Sequence, residues 1–503
     1  MNNYSRLIVV LFVSILFNSC QTENKSDWIT LFNGQNLDGW IAHENLESFK
    51  VVDGELVCHG KRSHLYYLGG DNHGVFKNFE LELKVKTQPH SNSGVFFHTK
   101  EQEKSWPLKG YEVQVNNSYI GSEESPELRK TGSLYNFRNV YYQSAKDNEW
   151  FDLRIKVVEN QIEIFVDGRQ VVNYIQPDDP YRVKNDSYKV IDRGQIALQA
   201  HDPNSTVYFK NIRLKELPDG EKLTPLVDKE WDTQVTKLQM ANFPLVDFHV
   251  HLKGGLTVEQ AVENSMKLGI NYGIAPNCGL KFPVTDDESL YAYMDTVKGK
   301  SIFRGMQAEG REWVTLFSAK AIAEFDYVFT DAMTWTDKKG RRMRLWIPEE
   351  VFIDDEQDFM EQLVSKIEAI VSKEPIDIYV NPTYLPEKIA AKYDELWTDE
   401  RIDRIVKVLV ENNVALEINS RLKLPSEKIL QKAKDAGVKF SFGTNNVTPN
   451  FGRLEYSLEM IEKLGLTYKD MFLPKPDGLK PVQTKGLPAE IIGVSMAYFP
   501  SFL

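Results

Sequence analysis

The sequence predicts an all-β sandwich followed by an α/β barrel. Three observations carry that reading. Residues 28–216 alternate apolar and polar side chains with a period of two, with almost no helical spacing. From residue 244 onward, short apolar runs alternate with amphipathic helices, the pattern of a (β/α) barrel. At the switch stands Pro244-Leu245-Val246-Asp247-Phe248-His249-Val250-His251, an apolar run that closes in Asp-x-His-x-His and then Gly254-Gly255.

The 503 residues suffice for two large domains. A composition 42% hydrophobic and 26% charged is that of a soluble globular chain, and a net charge of −12 argues against nucleic acid as a partner. In residues 1–20 Arg6 is the sole charge, Leu7 to Phe17 is apolar, and Asn18-Ser19-Cys20 follows. The apolar run is too short for a membrane span. It resembles a bacterial lipoprotein signal, which implies cleavage before Cys20, a lipid on its sulfur, export, and attachment to the cell envelope. Residues 21–27 read as a tether. The remaining cysteines, Cys58 and Cys278, fall in different predicted domains, so no disulfide is expected.

Within 28–216, Phe79 to Lys86 and Leu153 to Val157 alternate without a fault. Ile162 to Val166 closes into the hairpin signal Asp167-Gly168, repeated at Asp53-Gly54. Many short strands with regular turn signals predict a sandwich. Residues 217–243, with Pro, Gly and mixed charge, read as a linker. The barrel strands after the first are expected near Tyr272–Pro276, Phe303–Glu309, Tyr327–Ala332, Ile378–Asn381, Ala415–Asn419 and Phe440–Thr444, about seven in all. Helices are expected between them, one with the face Phe359, Leu363, Ile367 and Ile370.

Alternation places Glu112 and Gln114 on one face of a strand, where a carboxylate beside an amide can serve as base and oxygen holder. His201 leaves a strand at its exit, and an imidazole is a side chain suited to proton transfer. His98 and Tyr135 are further candidates, each with a structural role as the plainer reading. Asn92-Ser93-Gly94 reads equally well as a turn. Alternation also points Asp247, His249 and His251 the same way, and two imidazoles so spaced can share Zn²⁺ or Mn²⁺. Lys338, Lys339, Arg341, Arg342 and Arg344 around Gly340 read as a solvated hairpin.

Thr30 to Trp40, Phe49 to Leu56, Asn92 to Phe96, Gly110 to Gln114, Thr131 to Tyr135, Arg193 to His201 and Phe209 to Arg213 form an ordered set. Together they resemble the 3-keto-glycoside lyase/hydratase, or 3-keto-disaccharide hydrolase, domain over residues 28–216. The resemblance implies a concanavalin-A-like jelly roll. Lys84 and Lys86 stand where that family often has Glu and Arg. Asp247-x-His249-x-His251, Gly305 to Glu309 and Ala415 to Asn419 resemble the polymerase and histidinol phosphatase superfamily, a metal-dependent barrel of TIM type. There Met333, Asn381, Asn445 and Val447 replace ligands. The resemblance therefore implies at most one divalent ion, on His249, His251 and Glu309, within a barrel domain spanning 244–503.

The function expected is cleavage of 3-keto-glycosides by elimination and hydration in the front domain. Glu112, His201 and Tyr135 would be catalytic; Asn92, Gln114 and His98 would bind substrate, with a divalent metal in the jelly roll as a further option. No nucleotide-binding fingerprint is visible, so no nucleotide cofactor is expected and an upstream sugar oxidoreductase must supply the oxidised glycoside. Two alternatives stay open: a carbohydrate-binding jelly roll serving a barrel hydrolase, and a two-domain glycan-binding lipoprotein without catalysis.

Overall fold

The computed structural model describes residues 27–449 and 453–475; the signal segment with Cys20 lies outside them. Two antiparallel sheets, of eight and five strands, form the front half and are consistent with a jelly roll. The period-two pattern does what it predicts. Along Phe79–Thr87 every second residue is buried. Phe79, Leu81, Leu83 and Val85 enter the core, each contributing roughly 1.5–3 kcal/mol of burial. The outward residues pair across strands, Glu80 with Arg154, Glu82 with Arg213 and Lys84 with Asp152. Lys84 thus lies on the outer face of the larger sheet, beyond the core from Glu112, and its departure from the family pattern leaves the Glu112 face untouched.

The five-stranded sheet orders Trp40–Ala42, Ser63–Tyr67, Gln195–Ala200, Asn92–Thr99 and Tyr111–Asn116. Its strands are buried on both faces, with few exceptions. Leu65, Val95, Val113 and Leu198 face the sandwich core. The other face is covered by loops, which makes it a place where polar side chains can converge away from water.

The back half is a closed barrel of seven parallel strands. Val246–Val250, Asn271–Ile274, Phe303–Ala308, Tyr327–Thr330, Ile378–Tyr379, Ala415–Asn419 and Phe440–Gly443 pair in turn, and the last returns to the first. At least one helix lies between successive strands, but the layer is irregular. Several helices are single turns, such as Trp313–Leu316 and Glu387–Ala390, and a hairpin of Thr334–Thr336 with Arg342–Arg344 interrupts it. A regular TIM-type ring of helices is not what forms. Every cation of that hairpin has an acidic partner: Asp358, Asp354, Asp337, Glu312 or Glu350.

The segment read as a linker contains a helix, Lys229–Met240. Asp228 caps it by accepting from the Trp231 amide at 2.8 Å. Its inner face carries Trp231, Asp232, Val235, Thr236 and Gln239, three of them polar, so the apolar periodicity is faint. Asp232 and Gln239 are matched across the interface, while the Thr236 hydroxyl is buried without a partner. Asp232 meets Arg138 at 2.5 Å, Gln239 accepts from the Asn139 amide at 3.0 Å, and the Trp231 indole donates to Leu268 at 2.9 Å. Beside the helix, Tyr141 and Asn139 bond Asn271, and Tyr142 packs edge-on against Phe303 at 5.9 Å. The sandwich therefore closes the N-terminal end of the barrel, and one apolar cluster runs from Leu153 through Tyr142 to Phe248, Tyr327 and Val380.

Candidate active site

Strand register gathers the front-domain groups. Phe96 pairs with Glu112, Gly94 with Gln114 and Asn92 with Asn116; on the other side Gln199 pairs with His64 and Ala197 with Tyr66. Glu112 does not stand up from its own strand. It lies across Gly94, where a Cβ would fall 2.3 Å from its Oε1, and approaches the Gln199 amide at 3.5 Å. Glycine is required there because the carboxylate occupies the side-chain space. Gln114 donates to Asn92 at 2.8 Å.

Burial pushes the Glu112 carboxyl up to about 7, against Lys189 and Arg129, which lower it; Glu127 raises it further. Arg129 bonds Glu127 and the Tyr135 hydroxyl and lies 4.2 Å above the Tyr135 ring. Burial also raises the Tyr135 phenol, so it stays protonated. The His201 Nδ1 meets Asp202 at 2.7 Å. Burial pushes the Asp202 carboxyl up, but hydrogen bonds from His201, Ser205 and the Asn204 amide outweigh it and leave it lowered. A loop carries Trp106 over this face, its ring 5.6 Å from both His64 and His201.

At the C-terminal end of the barrel a second polar cluster forms. His249 Nδ1 meets Glu417 at 2.5 Å and its Nε2 meets Gln307 at 3.3 Å. Glu417 reaches it across Gly443, where a Cβ would lie 2.0 Å from the carboxylate. His251 Nδ1 faces the Ala275 carbonyl at 2.8 Å, and its Nε2 is buried without a partner. Glu309 accepts from Asn277 at 2.7 Å and is pushed up to about 8 by burial and by Asp331. Asn381 bonds Asp331, Glu417, Asn419 and Asn445. Amides can donate and accept at once, so they knit the carboxylates into a closed network.

The metal expected here does not fit this arrangement. No three His, Cys, Asp or Glu side chains converge as a ligand set among the described residues, and both His249 nitrogens face protein partners. Asp247 does not share the histidine face either. The strand register breaks between Asp247 and Val250, and the carboxylate instead clamps Thr444 at 2.7 and 3.1 Å.

The family description that matches this chain is the 3-keto-alpha-glucoside-1,2-lyase-like domain. The match spans residues 27–215. A 3-keto-disaccharide hydrolase of Bacteroides thetaiotaomicron is 25% identical over 232 residues, covering 38% of this chain and 78% of that protein. A crystal structure from Parabacteroides distasonis, assigned to the glycosyl hydrolases, is 23% identical, spans 38% of this chain and 94% of its own, and has a TM-score of 0.34. Histidinol phosphate phosphatase of Lactococcus lactis is 13% identical over 46% of this chain and 99% of its own, with a TM-score of 0.33.

In the lyase-like domain, Glu112, Gln114 and Asn92 share one sheet face, and Tyr135 and His201 flank it. His98 is elsewhere: it lies against Phe79 and Phe97, with its nitrogens at the Lys77 carbonyl and the Asp192 amide. That is a core histidine, not a substrate ligand. Asn92-Ser93-Gly94 is strand rather than turn. Sequence reading passed over His64, Gln199, Trp106, Glu127, Arg129 and Lys189. For Gln199 the signal was present, two residues before His201 on an alternating strand. The loop residues carry no periodicity, so only the fold brings them in.

Proposed function

We propose that the lyase-like domain cleaves 3-keto-glycosides by elimination and hydration, a net hydrolysis. The observation that carries the reading is Glu112, a half-buried carboxyl lying across Gly94, pushed up to about 7 and faced by two cations, as a base working near neutrality should be. A ketone at sugar carbon 3 acidifies the hydrogen on carbon 2. Glu112 takes that proton, and the electron pair moves onto the carbonyl oxygen as an enolate, which the field of Lys189 and Arg129 stabilises. The enolate collapses back to the ketone and expels the oxygen on carbon 1, leaving a double bond between carbons 1 and 2. His201, oriented by Asp202, protonates the departing oxygen. Water then adds its oxygen to carbon 1 and gives a proton to His201, while Glu112 returns its proton to carbon 2. Both groups end as they began.

The chain is read as exported and anchored through lipidated Cys20, with an oxidoreductase upstream that makes the keto sugar. The test is turnover of a chromogenic 3-keto-glucoside against its unoxidised parent. Release from the keto sugar alone, lost in Glu112→Gln, is expected; equal rates on both would indicate an ordinary glycosidase. For the anchor, Cys20→Ala should leave the membrane fraction.

A further inference from the structure

The segment from Glu124 to Tyr142 has one part in the front site and another against the barrel. Residues 131–135 run along the strand Tyr111–Asn116. The Thr131, Gly132 and Tyr135 amides donate to the Asn116, Gln114 and Glu112 carbonyls at 2.9, 3.0 and 3.0 Å. Val113 stands opposite Leu134 in an antiparallel bridge, so Tyr135 is the cross-strand neighbour of Glu112 and shares its face. Arg129, stacked on the Tyr135 ring, also donates to the Asn136 Oδ1 at 2.8 Å. The cation that faces Glu112 is therefore carried by an irregular segment rather than by a strand of the sheet, and such segments stand where a rigid scaffold holds them.

That scaffold lies across the domain seam, and Asn139 is the link to it. Its Oδ1 accepts from the Asn136 amide at 3.0 Å. Its own amide donates to the Gln239 Oε1 at 3.0 Å, and its Nδ2 donates to the Gln239 carbonyl at 3.2 Å. Its carbonyl accepts from the Asn271 Nδ2 at 2.9 Å. Gln239 belongs to the helix Lys229–Met240, and Asn271 opens the second barrel strand. Asn139, Gln239 and Asn271 are all buried, where an unmade hydrogen bond is costly, so these bonds fix direction as well as distance. Upstream, the Asn242 Nδ2 donates to the Pro126 carbonyl at 2.8 Å, one residue before Glu127. The stretch that carries Glu127, Arg129 and Tyr135 is thus gripped on both sides from beyond the sandwich.

We propose that the helix and the barrel complete the front active site, with Gln239 and Asn271 as positioning residues that act through Asn139 on the Arg129–Tyr135 group beside Glu112. This rests on the reading of Glu112 given above, in which Arg129 stabilises the enolate, and adds to it a part for the barrel in the same reaction. The barrel contributes from its N-terminal end, away from the polar cluster around His249. A displacement of about 1 Å in a group that faces the reacting atoms is worth on the order of 10²-fold in rate, so a loosened grip is felt in turnover before it is felt in binding.

The test uses the full chain and a chromogenic 3-keto-glucoside. Gln239→Ala and Asn271→Ala should each lower kcat about tenfold and move KM by less than about threefold. Ser301→Ala removes a bond across the same seam, to the Gln170 carbonyl at 2.6 Å, far from this segment; it should leave kcat within about twofold. In an Arg129→Lys background the stacked guanidinium is already gone, so Asn271→Ala should cost less than about twofold more. Asn242→Gly releases the Pro126 carbonyl and keeps the left-handed backbone, φ 57°; it should lower kcat about threefold and stands in where an alanine variant does not fold. Equal losses in Ser301→Ala and the anchor variants, or an undiminished loss from Asn271→Ala beside Arg129→Lys, would make these bonds general supports of the seam and overturn the assignment. An active native chain whose anchor variants keep their kcat would overturn this role alone. A native chain that leaves the keto sugar intact would overturn the proposed reaction and this role with it.

Discussion

At the scale of single residues, the front site depends on a half-buried carboxylate held across Gly94. Glu112→Gln keeps the shape and removes the base, so kcat should fall by about 10²–10⁴-fold. Because the carboxyl must be ionised to accept a proton, the acid limb of kcat/KM should rise with pH through about 7. The linkage to stability has the opposite sense. The folded state binds this proton more tightly than the unfolded chain does, whose carboxyl titrates near 4.5. The stabilisation is complete below 4.5 and is lost as pH climbs to about 7, a change of roughly 3 kcal/mol. Glu112→Gln should therefore be more stable than the native chain at pH 8 in urea titrations, with the margin gone by pH 4. Gly94→Ala tests the placement. Its Cβ would stand 2.3 Å from the carboxylate, and a displacement of that order should cost about 10²-fold in kcat/KM. Activity unchanged in Gly94→Ala would mean that the carboxylate does not work from across that strand.

At the scale of elements, the helix Lys229–Met240 joins the two halves through a buried ion pair. Removing one partner leaves a buried charge uncompensated, so Asp232→Ala should destabilise the chain by about 3–5 kcal/mol in urea unfolding. Asp232→Asn with Arg138→Gln, which removes both charges, should recover part of that loss. A destabilisation under 1 kcal/mol for Asp232→Ala would show that the pair is solvated and that the helix docks through Trp231 alone. The helix was legible only at its cap. Asp228 precedes it, but Asp232, Thr236 and Gln239 occupy its inner face, and polar residues buried at an interface look like solvent-facing ones in a sequence.

At the scale of the whole molecule, the sandwich and the barrel share one apolar cluster, with Tyr142 and Phe303 in direct contact. The two halves should therefore unfold together. Calorimetry of the full chain should show one transition rather than two. A chain ending at residue 216 should melt lower than the intact protein, because Arg138, Asn139 and Tyr141 would lose their partners. Two separated transitions would show that the halves are independent.

The sequence by itself determined the layer pattern and most strand positions. Side-chain alternation and apolar runs are local consequences of which face is buried, so the barrel strand at Ala415–Asn419 was legible to the residue. It also placed Glu112 beside Gln114, since two residues apart on a strand is a fixed geometry. Tertiary structure alone decided what those side chains meet. Glu112 lies over a glycine of the next strand, His98 is absorbed by the core, and Lys84 faces outward on the far sheet. His249 is engaged by Glu417, a residue 168 positions away. Pairings of that kind depend on register between strands and on which loop covers which face, and neither is encoded within the window that periodicity reads.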